Sequence, residues 1–291
     1  MSKTRLERTR MERVSQELQR YDGVEAEVSP IMPLVFTCIE EEATMIIMKH
    51  MLSFGSGFAS LLKRDPEETL ILGLMHIHIS SKRLDTEFFA SINAMSISLH
   101  FGFEIGIDKE IMGGVYQQVD GPLKPFANQL VEIMRSTGEE LRDLGCDHAG
   151  EYLWKCNPRS APEMVDWLCT TFSGFRKSSN KRKAIRCVRA LHKRFVNDEH
   201  LCFDMLDQMP VAVDDVIMSQ LHSAGLMSTL PDKELELPDD VAIERELVDS
   251  AVGITRELML RGNTTALIVE AFLGTSYPAT KHLIVHNSLD Y

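Results

Sequence analysis

Two neighbouring stretches place opposite charges close together in an otherwise acidic sequence. Residues 176–194 contain nine Lys or Arg and no Asp or Glu, whereas residues 210–216 read Pro-Val-Ala-Val-Asp-Asp-Val. A local run of cations can bind a phosphate, and a carboxylate held beside it can act as a base or stabilise positive charge. These residues therefore offer two kinds of chemistry, anion binding and general acid–base catalysis.

Helical spacing separates the two aspartates of the second stretch. We predict a helix over residues 211–224. At ~100° per residue, Asp214 lies at the margin of the apolar face of this helix, and Asp215 lies nearly opposite that face, in water. A carboxylate at the margin of a core must be paired, hydrogen-bonded or shifted in pKa, and such groups are enriched at functional sites. The alternative is that Asp214 only stabilises the helix dipole from the first turn.

A strongly basic helix is predicted over residues 180–196. Its apolar face repeats every three or four residues, at Ile185, Val188, Leu191 and Phe195. The same spacing turns Arg186, Arg189 and Lys193 away from this face. Lys183 lies at the flank. Such a helix either is a solvated face that balances an acidic protein or contacts phosphate or RNA.

The bulk composition excludes several classes of protein. The 291 residues carry a net charge of −12, so the chain as a whole is not expected to attract nucleic acid or an anionic membrane. The six cysteines form no Cys-x-x-Cys pair and no zinc-ligand spacing, which predicts free, mostly buried thiols and no metal site. No apolar run is long enough for a membrane span, and the first residues lack a secretory signal. We expect a cytoplasmic or nuclear protein.

The remaining segments predict a mainly α protein that forms a single domain over residues 1–291. Capping patterns mark helix starts at Asp65 and Ser160. Alternating apolar residues predict one short strand over residues 99–107. The other predicted helices cover residues 3–21, 31–52, 85–100, 123–144, 238–262 and 264–273.

Five short motifs follow one another in the order found in one protein family. Residues 53–58 (Ser-Phe-Gly-Ser-Gly-Phe) match an Asn-Phe-Gly-Ser-Gly-Tyr motif, and residues 174–176 (Gly-Phe-Arg) match an Ala-Phe-Arg segment. Residues 181–184 (Lys-Arg-Lys-Ala) match a Lys-Lys-Ala helix start, and residues 210–216 match Pro-Val-Phe-Thr-Asp-Asn-Val. The fifth motif is an acidic helix over residues 240–261. On these motifs the chain resembles a fungal-like branch of the queuosine salvage protein family over nearly its whole length.

The resemblance implies an N-glycosidase that releases the base queuine from queuosine 5′-phosphate. It also implies a single helical domain similar to the helix-hairpin-helix DNA glycosylases, such as 8-oxoguanine DNA glycosylase. Lys183 takes the place of the family's active-site lysine, and Asp214 that of its essential aspartate. The reaction needs no cofactor. The expected partner is a small-molecule nucleotide or nucleoside, with no stable nucleic-acid complex and no membrane contact.

The chemistry of this reaction suits these residues. Cleavage of the C1′–N bond passes through an oxocarbenium-like ribose, by analogy with other glycosyl transfers. Asp214 would stabilise that charge and orient or deprotonate the attacking water, while Lys183 would bind the 5′-phosphate or the ribose hydroxyls and hold Asp214 ionised. The matching motifs supply the predicted substrate-binding residues: Phe54, Ser56, Phe58, Phe175 and Arg176. The three phenylalanines would stack on the flat deazaguanine, unless they only pack in the core.

Two other functions remain open on the sequence. A catalytically degenerate family member would use the basic helix to bind a nucleotide or RNA, and this binding would weaken with salt. A purely helical interaction protein would have no pocket around Asp214. The placement of Asp214 and Lys183 separates these hypotheses, because an enzyme needs both side chains together and away from bulk solvent.

Overall fold

The computed structural model describes residues 3–23, 34–53, 58–80, 83–112, 114–176, 180–198, 200–227 and 241–279. These residues form a mainly helical protein with one two-stranded sheet, which confirms the predicted mainly α class. Phe54 and Ser56, two of the predicted substrate-binding residues, lie outside the described residues. Among the described helices, none is both long enough and apolar enough to cross a membrane.

The helices and strands follow one another in a simple order along the chain. The first helices are α1 (Lys3–Gln19), α2 (Ile39–Met51), α3 (Ala59–Leu62), α4 (Pro66–Ile79), α5 (Thr86–Ser91) and α6 (Ala94–Phe101). Two antiparallel strands follow, β1 (Gly106–Met112) and β2 (Val115–Asp120). The chain continues with α7 (Lys124–Asp143), α8 (Ala149–Cys156), α9 (Ala161–Thr171), α10 (Ser173–Arg176) and α11 (Arg182–Arg194). A 3₁₀ turn at Leu206–Gln208 precedes α12 (Asp215–Ser223), α13 (Val241–Gly262) and α14 (Ala266–Ser276).

Side-chain caps start two helices where the sequence predicted them. Asp65 accepts hydrogen bonds from the amides of Glu67 (2.8 Å) and Glu68 (3.1 Å) at the start of α4. Ser160 accepts one from the amide of Glu163 (3.3 Å) at the start of α9. Each cap binds amides that have no partner inside the helix.

Two predicted helices differ from the observed ones. The helix predicted over residues 31–52 begins, within the described residues, only at Ile39. The helix predicted over residues 85–100 is divided into α5 and α6, because Ile92 adopts an extended conformation with a ψ of 141°.

The strand predicted over residues 99–107 is wrong for most of its length. Residues up to Phe101 belong to α6, because Asn93 caps that helix and Gly102, with a φ of +70°, ends it. A glycine adopts this left-handed conformation without the steric cost that other residues meet. The first strand begins only at Gly106, and its hairpin with β2 is absent from the sequence-based prediction.

The described apolar core consists of two clusters. Helices α2 to α11 build the larger cluster, and α11 contributes Ile185 and Val188. Helices α1, α12, α13 and α14 build the smaller cluster, to which α12 contributes Ile217 and Leu221. The basic helix and the Asp214 helix therefore belong to different clusters, and contacts between them join the two halves of the core.

The predicted burial of the cysteines is only partly correct. All six are free thiols, as expected. Cys146 and Cys187 are buried and Cys169 is partly exposed. Three are exposed because they lie where the chain reaches the surface, before α2, at the end of α8 and after α11: Cys38, Cys156 and Cys202.

Candidate functional site

Asp214 caps the start of α12. The helix predicted over residues 211–224 begins only at Asp215, so Asp214 occupies the N-cap position, with an extended backbone, and not the first turn. Its Oδ1 accepts a hydrogen bond from the amide of Ile217 at 2.8 Å, and the residue is only 4% exposed. The N-cap position directs the carboxylate at the unpaired amides and the positive pole of the helix. The placement of Asp214 at the edge of the core is therefore confirmed. Its N-cap position corrects the prediction that it lies in the first turn of the helix.

The second carboxylate oxygen of Asp214 is held by Arg186. Arg186 Nη2 and Asp214 Oδ2 form an ion pair. The Arg186 side chain is 46% exposed and that of Asp214 is 6% exposed, so the arginine is open to solvent whereas the carboxylate is buried. The charge of Asp214 is the main reason that the pKa of Arg186 is raised, although burial lowers it. The ion pair brings Arg186 into the site, although helical spacing turns this residue away from the apolar face of α11.

Lys183 is buried one turn earlier on α11. The residue is 1% exposed, and its Nζ donates to the carbonyl oxygen of Met51 at 3.2 Å. Met51 is the last residue of α2, and the carbonyl end of a helix is its negative pole. Lys183 and Arg186 are three positions apart and so lie on neighbouring parts of the helix surface. Two cations therefore follow one another along α11, the first against α2 and the second against Asp214.

Asn180 joins the starts of the two helices. Its Oδ1 accepts a hydrogen bond from the amide of Arg182 at 3.0 Å, and its Nδ2 donates to the carbonyl oxygen of Val213 at 2.7 Å. Arg182 directly precedes Lys183, and Val213 directly precedes Asp214. One side chain thus ties together the two segments that carry the candidate catalytic residues, and both of those residues lie away from bulk solvent.

Arg189 is buried, although helical spacing turns it away from the apolar face of α11. Arg189 is 4% exposed and forms an ion pair with Glu270 of α14 at 2.7 Å. Its Nη2 donates to the carbonyl oxygen of Pro210 at 2.9 Å, and Glu270 Oε1 also accepts from the amide of Ala212 at 3.0 Å. The pair therefore fixes the segment in front of Asp214. Glu270 is the one charged residue of α14. An acid in an otherwise uncharged helix was the sequence signal that could have indicated a buried ion pair.

A buried histidine lies close to these charges. His50 of α2 is 7% exposed, and its pKa is lowered to about 3, first by burial and then by the charges of Lys49 and Arg186. Lys49 in turn pairs with Glu67 at 2.9 Å. His50 is therefore neutral at physiological pH and adds no positive charge beside the cations of α11.

Acid is expected to destabilise the fold through His50. Below a pH of about 6.5 an unfolded histidine takes up a proton, whereas His50 stays neutral until about pH 3. Between these two values the unfolded state binds more protons than the folded state. The stabilisation from neutral His50 is therefore complete above about pH 6.5 and falls by about 1 kcal/mol per pH unit toward pH 3. We expect His50→Gln to lose less unfolding free energy than wild type on acidification, in urea titrations from pH 6.5 to about pH 4. His76→Gln, at an exposed histidine of α4, is the control. If the unfolding free energies of His50→Gln and wild type fell equally with pH, this prediction would be contradicted.

The described substrate-binding candidates lie in the core or bind the end of a helix. Phe58 is 2% exposed and packs on Phe126, with ring centroids 4.7 Å apart. Phe175 is fully buried. Arg176 is exposed, and its guanidinium donates to two carbonyl oxygens at the end of α9, at 2.7 and 3.3 Å. These contacts favour core packing for the two phenylalanines and helix capping for Arg176, and their predicted contact with a substrate stays a prediction.

The site combines a buried carboxylate with cations from one neighbouring helix. Such an arrangement can bind an anion through Arg186 or Lys183 and stabilise a positive charge that develops beside Asp214. Sequence reasoning missed three residues that shape it: Asn180, His50 and Glu270. Within the described part of the chain, no group of three or more His, Cys, Asp or Glu side chains could hold a metal ion.

Comparisons with known proteins assign no family to the chain. The sequence matches no protein-family model, and no curated protein matches it either. A function for the chain therefore has to be inferred from the site and from the motifs that carry the resemblance.

Proposed function

We propose that the chain is an N-glycosidase that hydrolyses the C1′–N bond of queuosine 5′-phosphate, or of a related modified nucleotide, and releases queuine. The observation that carries the proposal is the buried carboxylate of Asp214, which caps α12 and pairs with Arg186. Asp214 lies within residues 210–216, one of the motifs on which the family resemblance rests. We also propose the single helical domain of the DNA-glycosylase type, which the mainly helical architecture supports.

In the proposed reaction Asp214 stabilises the ribose cation. As the C1′–N bond breaks, its electron pair leaves with the base, and positive charge builds up on C1′ and the ring oxygen. A carboxylate beside C1′ lowers this barrier and orients the attacking water. The water oxygen bonds to C1′, and one water proton ends on the base nitrogen. The products are the free base and ribose 5-phosphate, so no cofactor enters the balance.

The hydrogen bonds around Asp214 suit this role. The amide of Ile217 and the guanidinium of Arg186 each hold one oxygen, so the carboxylate has a single orientation. Preorganised groups of this kind act without a reorganisation cost when charge develops. The pair of Arg189 and Glu270 supports them by fixing the preceding segment of the chain.

The 5′-phosphate is assigned to the cations of α11. Lys183 is the residue that the family resemblance places there, and it lies buried beside α2. Arg186 has nearly half of its side chain exposed, so it can meet a ligand that arrives from solvent. A phosphate bound between them would form charge-assisted hydrogen bonds to both.

Incubation of the chain with queuosine 5′-phosphate in cofactor-free buffer tests the proposal. We expect queuine and ribose 5-phosphate in equal amounts, measured by chromatography, and slower release from the nucleoside queuosine, which lacks the phosphate. Tight nucleotide binding without release would support the non-catalytic binding module in place of the enzyme. If the chain neither binds nor cleaves the nucleotide, both hypotheses fail.

A further inference from the structure

The antiparallel hairpin of β1 and β2 is exposed on both of its faces. All its apolar residues but Val119 are exposed, and Met112, Val115 and Tyr116 leave 60–74% of their surface in solvent. A two-stranded hairpin alone is marginally stable in water, and clustered exposed apolar residues mark interaction surfaces. Among the described residues no third strand pairs with it. The described part of the chain therefore leaves both outer edges of the hairpin unpaired.

The strand register sorts the hairpin into one apolar and one acidic face. Opposite residues of antiparallel strands share a face. The mostly apolar face holds two apolar pairs, Ile107 with Val119 and Met112 with Val115, and between them the polar pair of Lys109 with Gln117. The other face holds the pairs of Asp108 with Gln118 and Glu110 with Tyr116.

The two outer edges of the hairpin differ in charge. The middle of β1 reads Asp-Lys-Glu, and charges along an edge discourage pairing with another strand. Residues 115–119 of β2 read Val-Tyr-Gln-Gln-Val, without a charge, a proline or a glycine. Asp120, at the end of β2, is already paired with Lys124 at 2.5 Å. The β2 edge is thus the one without a device against strand addition.

We propose that a second copy of this chain pairs with the β2 edge, strand β2 against strand β2, to form a four-stranded antiparallel sheet. A two-fold axis perpendicular to the sheet at Gln117 places Val115 opposite Val119 of the other copy, twice, and Tyr116 opposite its Gln118. Every such pair is neutral, and the β-branched pairs extend the apolar face across both copies. The same operation on β1, centred on Lys109, would place lysine opposite lysine and Asp108 opposite Glu110, which is unfavourable. The charge pattern therefore favours the β2 edge over the β1 edge, and the self-complementary neutral register fits a second copy as the occupant.

A pair of lysine substitutions on the acidic face tests this interface. Within one chain, Tyr116→Lys lies opposite Glu110 and Gln118→Lys lies opposite Asp108, so the hairpin keeps favourable cross-strand pairs. In the proposed dimer, the double variant instead sets lysine against lysine at two symmetric places. Each single variant sets its lysine against an uncharged residue.

Sedimentation of the full chain gives the result. We expect a wild-type dimer of twice 32.9 kDa, and a dissociation constant about tenfold higher for the double variant than the two single variants predict together. Mixing the double variant with wild type should restore dimers, because lysines then face neutral residues. A wild-type chain that stays monomeric up to its solubility limit would overturn the proposal. So would a double variant whose effect is only the sum of the two single variants.

Discussion

Replacing Asp214 with asparagine is expected to lower queuine release by about a thousandfold while the fold persists. Asparagine is as good an N-cap as aspartate, so the hydrogen bond from the amide of Ile217 can be kept. The substitution removes the negative charge that faces Arg186 and, in the proposed reaction, the ribose cation. The rate of base release at saturating queuosine 5′-phosphate measures the effect, and circular dichroism checks the helical content.

Asp215→Asn is the matched control for this experiment. It makes the same chemical change one residue further along, at the first position of α12, where the side chain is partly exposed. We expect it to retain release within a few-fold of wild type, because in the proposed reaction the ribose cation faces the carboxylate of Asp214 and not that of Asp215. Equal losses in Asp214→Asn and Asp215→Asn would contradict the assignment of the carboxylate.

Replacing Arg189 with methionine is expected to lower the free energy of unfolding by about 3 kcal/mol. The side chains of Arg189 and Glu270 are only 5% and 17% exposed, so the variant leaves a carboxylate in a largely buried place without its cation. The carbonyl oxygen of Pro210 also loses its hydrogen bond. Urea unfolding of both proteins gives the difference directly.

Two further variants make this stability experiment specific. Lys193→Met changes an exposed residue of the same helix and should cost no more than about 0.5 kcal/mol. Adding Glu270→Gln to Arg189→Met should recover part of the loss, because the unpaired charge is then removed. If Arg189→Met costs no more than Lys193→Met, the buried pair does not stabilise the segment in front of Asp214.

The sequence predicted that Asp214 lies at the edge of the core better than it predicted the place of Asp214 in the helix. Helical spacing placed it at the margin of the core because the apolar residues that follow it repeat correctly. Spacing alone could not tell that the helix begins four residues later than predicted, at Asp215, since Asp214 and Asp215 are equally good caps. The burial of Val213 and the hydrogen bond from the amide of Ile217 make Asp214, and not Asp215, the N-cap of α12.

The basic helix shows the limit of reasoning from one face. Its apolar residues identify the side that packs into the larger cluster, and Lys193, which spacing turns away from that side, is exposed. Arg189 is buried because a second cluster covers another side of the helix, through Glu270, which is 81 positions away in sequence. A helix that lies between two clusters has two buried sides, and local periodicity reports only the apolar one.

The hairpin was missed for a local reason. Its strands carry polar residues on one face and mostly apolar residues on the other, but nearly all of these residues are exposed in the described structure. The expected contrast between core and surface is therefore absent, and the alternation before Gly106 misplaced the strand. In our proposal, a second copy of the chain covers the β2 edge, and a single sequence cannot show this contact.

A crystal structure of the Asp214→Asn variant soaked with queuosine 5′-phosphate tests the central claim most directly. We predict an intact nucleotide whose C1′ lies within about 3.5 Å of the side chain at position 214 or of a water bound to it. The 5′-phosphate should contact Lys183 or Arg186. A nucleotide bound with its C1′ away from position 214, or crystals that bind no nucleotide at saturating concentration, would contradict the assignment of Asp214 as the catalytic carboxylate.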